Sequence, residues 1–477
     1  MLRLILKGGG DMMTTLTAKT ATAAIVLLAG CGAEKVSLSG ADAILIGEGD
    51  GDDAGFALSA AGDVNADGYG DFLVGAPGLD SDGKGSTYLV HGPFTGGAYI
   101  DDAAAAKFVG EEENDAAGSA VAAAGDVNAD GYGDFLVGAC NNDRANNNAG
   151  AAYLFHGPAS GKLGLDEADA ILAGVGGDDC AGYAVVGNFD TDGDGEFEIL
   201  VSADGNDYGG DDAGAAYLVP GQTTGEASLQ EVATATLYGE AEFAYAGMAM
   251  AAGNVNGGGN TDLVVGAPFQ DQGEVDNGAV YLVSGPVAGE ASLEDADAYF
   301  SYDCPACGIG WCLDIGDTNA DGYGDIVVGI PGTNLGQGVV RIIFGPLENG
   351  SMEEAPFATF SGNRWEGLGF AVALLDADAD GTDDLLIGAP GSDKGGSKDS
   401  NAGAAYLAYG PFSEDASYLV SQKSSSMYIS DGDGANAGAA VANAGDTNAD
   451  GSDDLLIGAP YDSQYGEYNG AAYLVLP

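Results

Sequence analysis

Asp63-Val64-Asn65-Ala66-Asp67-Gly68-Tyr69-Gly70-Asp71 returns unchanged at 126–134 and with one Thr at 317–325. Related copies start at Asp190, Asn254, Asp376 and Asp446, so the seven starts are separated by 63, 64, 64, 63, 59 and 70 residues. So regular a period calls for one structural unit repeated seven times over residues 41–477. In the first unit a small-residue segment (56–61) leads into the acidic loop, and an apolar strand (72–74) then ends in Gly75-Ala76-Pro77. A variable loop, Tyr88-Leu89-Val90 and a short alternating stretch (106–110) complete it. Four short strands joined by Gly, Asn and Asp are the makings of a blade, and radial stacking buries both faces of each sheet. The expected fold is all-β, a seven-bladed β-propeller of four-stranded blades.

The last unit stops at Tyr473-Leu474-Val475 without a fourth strand. Residues 41–48 (ADAILIGE) resemble the fourth strands at 168–174 (ADAILAG) and 233–240 (ATATLYGE). The N-terminal segment is therefore expected to complete the seventh blade, which closes the ring and leaves no free edge.

Side-chain oxygens at positions 1, 3 and 5 of a tight loop can converge on one point. A Gly at position 6 permits the reversal, position 7 offers its carbonyl and position 9 an acid, which together suit a hard cation of six to eight oxygen ligands. One such loop also fits a metal-free hairpin turn; repetition at the same offsets decides for calcium, since magnesium is stricter in geometry and zinc prefers His or Cys. The expected ligands are Asp63, Asn65, Asp67, Tyr69 and Asp71; Asp126, Asn128, Asp130, Tyr132 and Asp134; and Asp190, Asp192, Asp194, Glu196 and Glu198. The later loops add Asp317, Asn319, Asp321, Tyr323 and Asp325; Asp376, Asp378, Asp380, Thr382 and Asp384; and Asp446, Asn448, Asp450, Ser452 and Asp454. The fourth loop reads Asn254, Asn256, Gly258, Asp262, so about six good sites and one weak or empty one are expected.

Acidic loops followed by an apolar strand and Gly-Ala-Pro resemble FG-GAP repeats, the unit of the integrin α-subunit propeller. Gly-Ala-Pro is intact at 75–77, 266–268, 388–390 and 458–460, and altered at Gly138-Ala139-Cys140, Ser202-Ala203-Asp204 and Gly329-Ile330-Pro331. The resemblance implies a propeller with its calcium loops on one face, and the loops after Gly-Ala-Pro and before each first strand on the other. It does not carry integrin function, because fold does not dictate activity.

With 74 Asp and Glu against 13 Lys and Arg the net charge is −61, which excludes nucleic acid and anionic lipid surfaces as natural partners. Residues 21–30 (ATAAIVLLAG) form an apolar run behind Arg3, Lys7 and Lys19. Ten residues rise about 15 Å as a helix, too short to span a bilayer, so 1–30 reads as a signal peptide. Its ending Leu28-Ala29-Gly30-Cys31 resembles a bacterial lipobox, which implies acylation of Cys31 and an outer-membrane or cell-surface lipoprotein, with 31–40 a short linker to the propeller. Met12 or Met13 is the alternative start.

Five further cysteines would lie outside the cytoplasm. Cys140 and Cys180 should share a face in adjacent blades, which suggests a disulfide between blades. Cys304, Cys307 and Cys312 crowd one loop, where a local disulfide with one free thiol is expected over a zinc site, with the pairing open. No Ser elbow, His cluster or phosphate loop stands out, so a non-enzymatic scaffold for a protein or glycan, held on the face opposite the acidic loops, is the expectation. A structural envelope component and a propeller hydrolase or lyase are the alternatives.

Overall fold

The computed structural model describes residues 33–477 apart from 79–82, 271–276, 302, 303, 305, 348, 349, 352–354, 398, 399 and 465. The expected leader 1–30 and Cys31 lie outside the described residues.

Seven sheets make up the propeller. In blade one Ala57–Gly62, Asp71–Ala76, Ser86–Val90 and Ala106–Val109 pair antiparallel in chain order. The second strand is buried along its whole length, as a sheet covered on both faces requires. The first strands are rich in small residues because they crowd the axis. Successive first strands touch all the way round, and that of blade seven (Ala440–Gly445) meets that of blade one (Ala57–Gly62).

Each sheet also carries a fifth strand, parallel and contributed by the next unit. Gly161–Gly164 of unit two lies along Ala106–Val109, and Gly225–Ser228 of unit three along Ala170–Ala173. Five of these seven strands begin with glycine and they lack hydrophobic alternation, so their period gives no strand signal.

Ala43–Ile46 pairs antiparallel with Ala471–Val475, Ala43 opposite Leu474 and Ile46 opposite Ala471, and so supplies the fourth strand of blade seven. The linker expected at 31–40 needs correction. Glu34–Ser37 is the fifth strand of blade six, with Glu34 opposite Ser426 and Ser37 opposite Ile429. Its polar sequence suits an outermost strand, where the pairing rests on backbone hydrogen bonds rather than on a buried face.

The apolar cores lie between blades. Phe108 of blade one packs against Phe135 and Phe155 of blade two with ring centroids 5.1 and 4.6 Å apart. Each ring is buried, and burying such a side chain contributes about 1.5–3 kcal/mol. Glycine is required where blades approach most closely: a Cβ on Gly138 would sit 2.1 Å from the carbonyl oxygen of Gly182 in the next blade, and Gly182 itself has φ +80°.

Candidate functional site

The acidic loops connect first to second strands, and neighbouring loops are hydrogen-bonded in series. The N–H of residue eight donates to the carbonyl of residue one in the preceding blade: Gly133 to Asp63 at 2.9 Å, Thr261 to Asp190 at 3.0 Å and Gly324 to Asn254 at 2.8 Å. Asp383 to Asp317 and Asp453 to Asp376 follow at 3.0 Å, and Gly70 to Asp446 at 2.9 Å joins blade one to blade seven. All seven loops thus share one face.

Within loop one, Asp63 accepts the N–H groups of Asp67 and Gly68 at 3.0 and 2.9 Å, Asn65 accepts that of Asp67 at 2.8 Å, and Asp67 accepts that of Tyr69 at 3.0 Å. Gly68 at φ +91° makes the reversal. The same bonds recur among Asp126, Asn128, Asp130 and Tyr132 and among Asp317, Asn319, Asp321 and Tyr323. They recur again among Asp446, Asn448, Asp450 and Ser452. In the sixth loop Asp376 accepts from Asp380 and Gly381, and Asp380 from Thr382.

The ninth residue has a second job that its sequence pattern does not reveal. Asp71 is fully buried; its Oδ2 accepts the Val64 N–H at 2.9 Å, and its Oδ1 accepts the Gly92 N–H at the end of the third strand at 3.0 Å. Asp134, Asp325 and Asp384 make the same pair of bonds, and Glu198 accepts the N–H of Thr191. In blade seven Asp454 accepts from Thr447 on Oδ2, while its Oδ1 is buried without a partner. Each of these acids ties its loop into the sheet. Burial pushes Asp71, Asp325 and Asp454 up to about 6 and Asp384 to about 7; a divalent cation close by would oppose that shift.

Two loops gather carboxylates tightly. One ligand oxygen each from Asp190, Asp192, Asp194 and Glu198 lies within 4.8 Å of the others, and the same holds for Asp376, Asp378 and Asp384. Despite some desolvation, the N–H groups of Gly195, Gly193, Asp192 and Asp194 hold Asp190 below the ordinary carboxylate range. Loop four differs. Asn254 accepts from Gly257, while Asn256 bonds Leu347 N–H and the Ser284 hydroxyl, which commits its side chain elsewhere.

The opposite face carries aromatics that sequence reading overlooked. Phe56, Tyr183, Trp311 and Phe370 each follow the repeat glycine, at Gly55, Gly182, Gly310 and Gly369. This places them at the end of the first strand remote from the acidic loop. Tyr245, Phe269, Trp311 and Phe370 form a chain of rings with centroid spacings of 5.7, 6.5 and 5.7 Å beside a cavity of about 370 Å³. The shared position after the repeat glycine is the signal that could have found Phe56, Tyr183, Trp311 and Phe370, whereas Tyr245 lies two residues before Gly247 and Phe269 follows Gly266-Ala267-Pro268.

The cysteines divide. Cys304 and Cys307 are disulfide-bonded and Cys312 is free, its Sγ 3.1 Å from the Gly369 carbonyl oxygen. Cys140 and Cys180, expected to pair between blades, are both free thiols in this structure. Their shared face brings them side by side, but proximity alone does not join them.

Five stretches match the FG-GAP repeat model: 54–91, 117–155, 246–283, 368–407 and 437–475. Blades three and five, outside those matches, share the topology. The chain is similar to phosphatidylinositol-glycan-specific phospholipase D of Rattus norvegicus, 33% identical over 175 residues, which is 34% of this chain and 21% of that protein. It is also similar to integrin alpha-IIb of Mus musculus, 34% identical over 176 residues, covering 33% of this chain and 16% of the relative. Integrin alpha pat-2 of Caenorhabditis elegans is 34% identical over 163 residues, covering 30% and 13%. The chain thus spans about a fifth or less of the relatives it matches, which include a protein named for an enzymatic activity and integrin subunits. Among the described residues no helix is long and apolar enough to cross a membrane.

Proposed function

The chain is an FG-GAP repeat propeller of the integrin-α-like kind, and from that premise we propose that it is a calcium-binding extracytoplasmic scaffold whose face opposite the acidic loops holds a protein or glycan. Calcium ions in the loops starting at Asp63, Asp126, Asp190, Asp317, Asp376 and Asp446 rigidify one face, with the loop at Asn254 weak or empty. The other face presents the ligand surface, and the lipid on Cys31 tethers the scaffold to an outer membrane or cell surface.

The observation that supports this reading most is the row of rings formed by Tyr245, Phe269, Trp311 and Phe370. Phe269 and Phe370 are each 36% exposed, and flat apolar surface left open beside polar loops is a common mark of a binding face. The test is binding of the full chain to a glycan array and to envelope extract, with calcium and with chelator. Retention that is calcium-dependent and lost in Trp311→Ala supports the reading, and retention unaffected by that change overturns the placement of the ligand. A phospholipase D among the relatives favours hydrolysis of a lipid-linked glycan as the second reading, for which turnover of such a substrate is the measurement.

A further inference from the structure

One pair of positions meets at the junctions between blades. The first is the third residue of Gly-Ala-Pro; the second lies two residues before the repeat glycine of the next blade. Pro77 and Ala116 line one pocket together, and Pro331 and Gly367 another. Between blades two and three these positions hold Cys140 and Cys180, and at no other junction do both carry cysteine. Proline occupies the first position at 77, 268, 331, 390 and 460. Cys180 also adopts φ +56°, a conformation that a non-glycine side chain reaches at some cost. The backbones are in close contact there, as the 2.1 Å approach of a Cβ on Gly138 to Gly182 O shows.

We propose that Cys140 and Cys180 are the two halves of a reversible disulfide latch between blades two and three. Cys140 lines an open cavity of about 440 Å³, walled in part by Phe56 and Tyr183, through which a small oxidant can reach it. The Cys180 side chain holds the Cys140 thiol below its ordinary range, which favours Cys140 as the attacking sulfur. Cys180 is raised by that same interaction, by burial and by the carboxylate of Asp204 beside it. Asp204 is buried, and its Oδ1 has no hydrogen-bond partner.

The chemistry balances as thiol–disulfide exchange with a small-molecule disulfide or an oxidised dithiol protein. The Cys140 thiolate attacks one sulfur of the oxidant and expels the other as thiolate, which leaves a mixed disulfide. Cys180 passes its proton to Asp204 and attacks the Cys140 sulfur, breaking the mixed disulfide and releasing the second thiolate. Two thiols lose two protons and two electrons, and the oxidant gains them. Burial disfavours a thiolate at Cys180 and so favours the neutral disulfide.

Cleavage after Lys107, Arg144, Lys162 and Arg341 separates the two cysteines, with Cys140 in the peptide 108–144 and Cys180 in 163–341. The experiment equilibrates the full chain with oxidised and reduced glutathione, quenches free thiols and maps tryptic peptides without reduction. The expected result is 108–144 joined to 163–341, released by dithiothreitol and absent from both Cys140→Ser and Cys180→Ser. In Cys180→Ser, Cys140 should instead stop at the glutathione adduct. Cys140 remaining a free thiol, a stable adduct in the native protein, or a cross-link that survives Cys180→Ser would each overturn the latch.

Discussion

Tyr153 of blade two donates its phenolic proton to Glu111 of blade one, with Oη 2.7 Å from Oε1, while Arg144 clasps the same carboxylate through Nε and Nη2 at 3.1 and 2.8 Å. The Arg144 Nη1 reaches on to Glu226 at 2.9 Å. Tyr88 with Glu48, Tyr281 with Glu240 and Tyr406 with Glu366 repeat the theme, with Lys107 and Lys394 as the cations in the first and last. Each carboxylate follows the fourth strand of one blade and each tyrosine lies in the third strand of the next. These polar ties cross the interface beside the apolar contacts. Blade five has Arg341 at the tyrosine position, over the rings of Phe300 and Phe357 at 5.4 and 4.6 Å.

A hydrogen bond to a charged partner that is largely screened from water contributes about 1.5–3 kcal/mol. Tyr153→Phe is expected to lower stability toward the lower end of that range, because Arg144 still satisfies Glu111. Glu111→Gln should cost more, since it also leaves Arg144 with only its exposed partner. A double-mutant cycle by denaturant titration should give a coupling of about 1 kcal/mol or more between the two side chains. Simple additivity would remove the tie between blades from the account of stability.

Calcium binding should be countable. Six loops present oxygen at every expected ligand position, and the Asn256 side chain of the fourth is bound to Leu347 and Ser284. Calorimetric titration of the chelated protein is expected to approach six ions and not seven. A site held at a hundred times its Kd adds about 2.7 kcal/mol, so chelator should lower Tm markedly. Asp190→Ala should remove one ion from the count and Asn256→Ala none.

Asp204 gives the expected pH dependence. Burial, its largest cause, pushes the carboxyl up to about 7, against about 3.9 in an unfolded chain. Between those values the folded state holds the proton that the unfolded state has lost. Stability contributed by the neutral acid is therefore complete below about pH 4 and declines as pH rises through 7. Asp204→Asn is expected to be nearly neutral at pH 4 and to stabilise by roughly 2–4 kcal/mol at pH 8. Equal effects at both pH values would show that the carboxyl is ionised throughout.

Much of this architecture was legible because the repeat multiplies weak signals. One Asp-x-Asn-x-Asp-Gly loop is compatible with a plain turn, whereas seven at near-constant spacing specify blades, and the match of 41–48 to other fourth strands located the closure. The parallel fifth strands were not legible: Gly96–Tyr99 and its counterparts pair through backbone groups at an edge, where no side-chain period is imposed. The double role of Asp71 was hidden for a similar reason. Its residue type satisfies the ligand pattern, and only the fold brings the N–H of Gly92, 21 residues away, onto its free oxygen.

Ring closure offers the most local test of the fold. Leu45 is fully buried in the fourth strand of blade seven, packed in one core with Phe72, Leu456 and Leu474. Leu45→Ala should cost about 2–5 kcal/mol, as for other buried leucines. Its strand holds the outer side of Ala471–Val475, so weakening it exposes the row of backbone groups that a closed ring is built to hide. Hydrogen exchange is expected to show the amides of residues 471–475 losing protection together with 43–46, while the second strand of blade three, Glu198–Ala203, keeps its own. Equal loss in both blades would mean that the propeller opens as one unit, and no loss at 471–475 would refute closure by this strand.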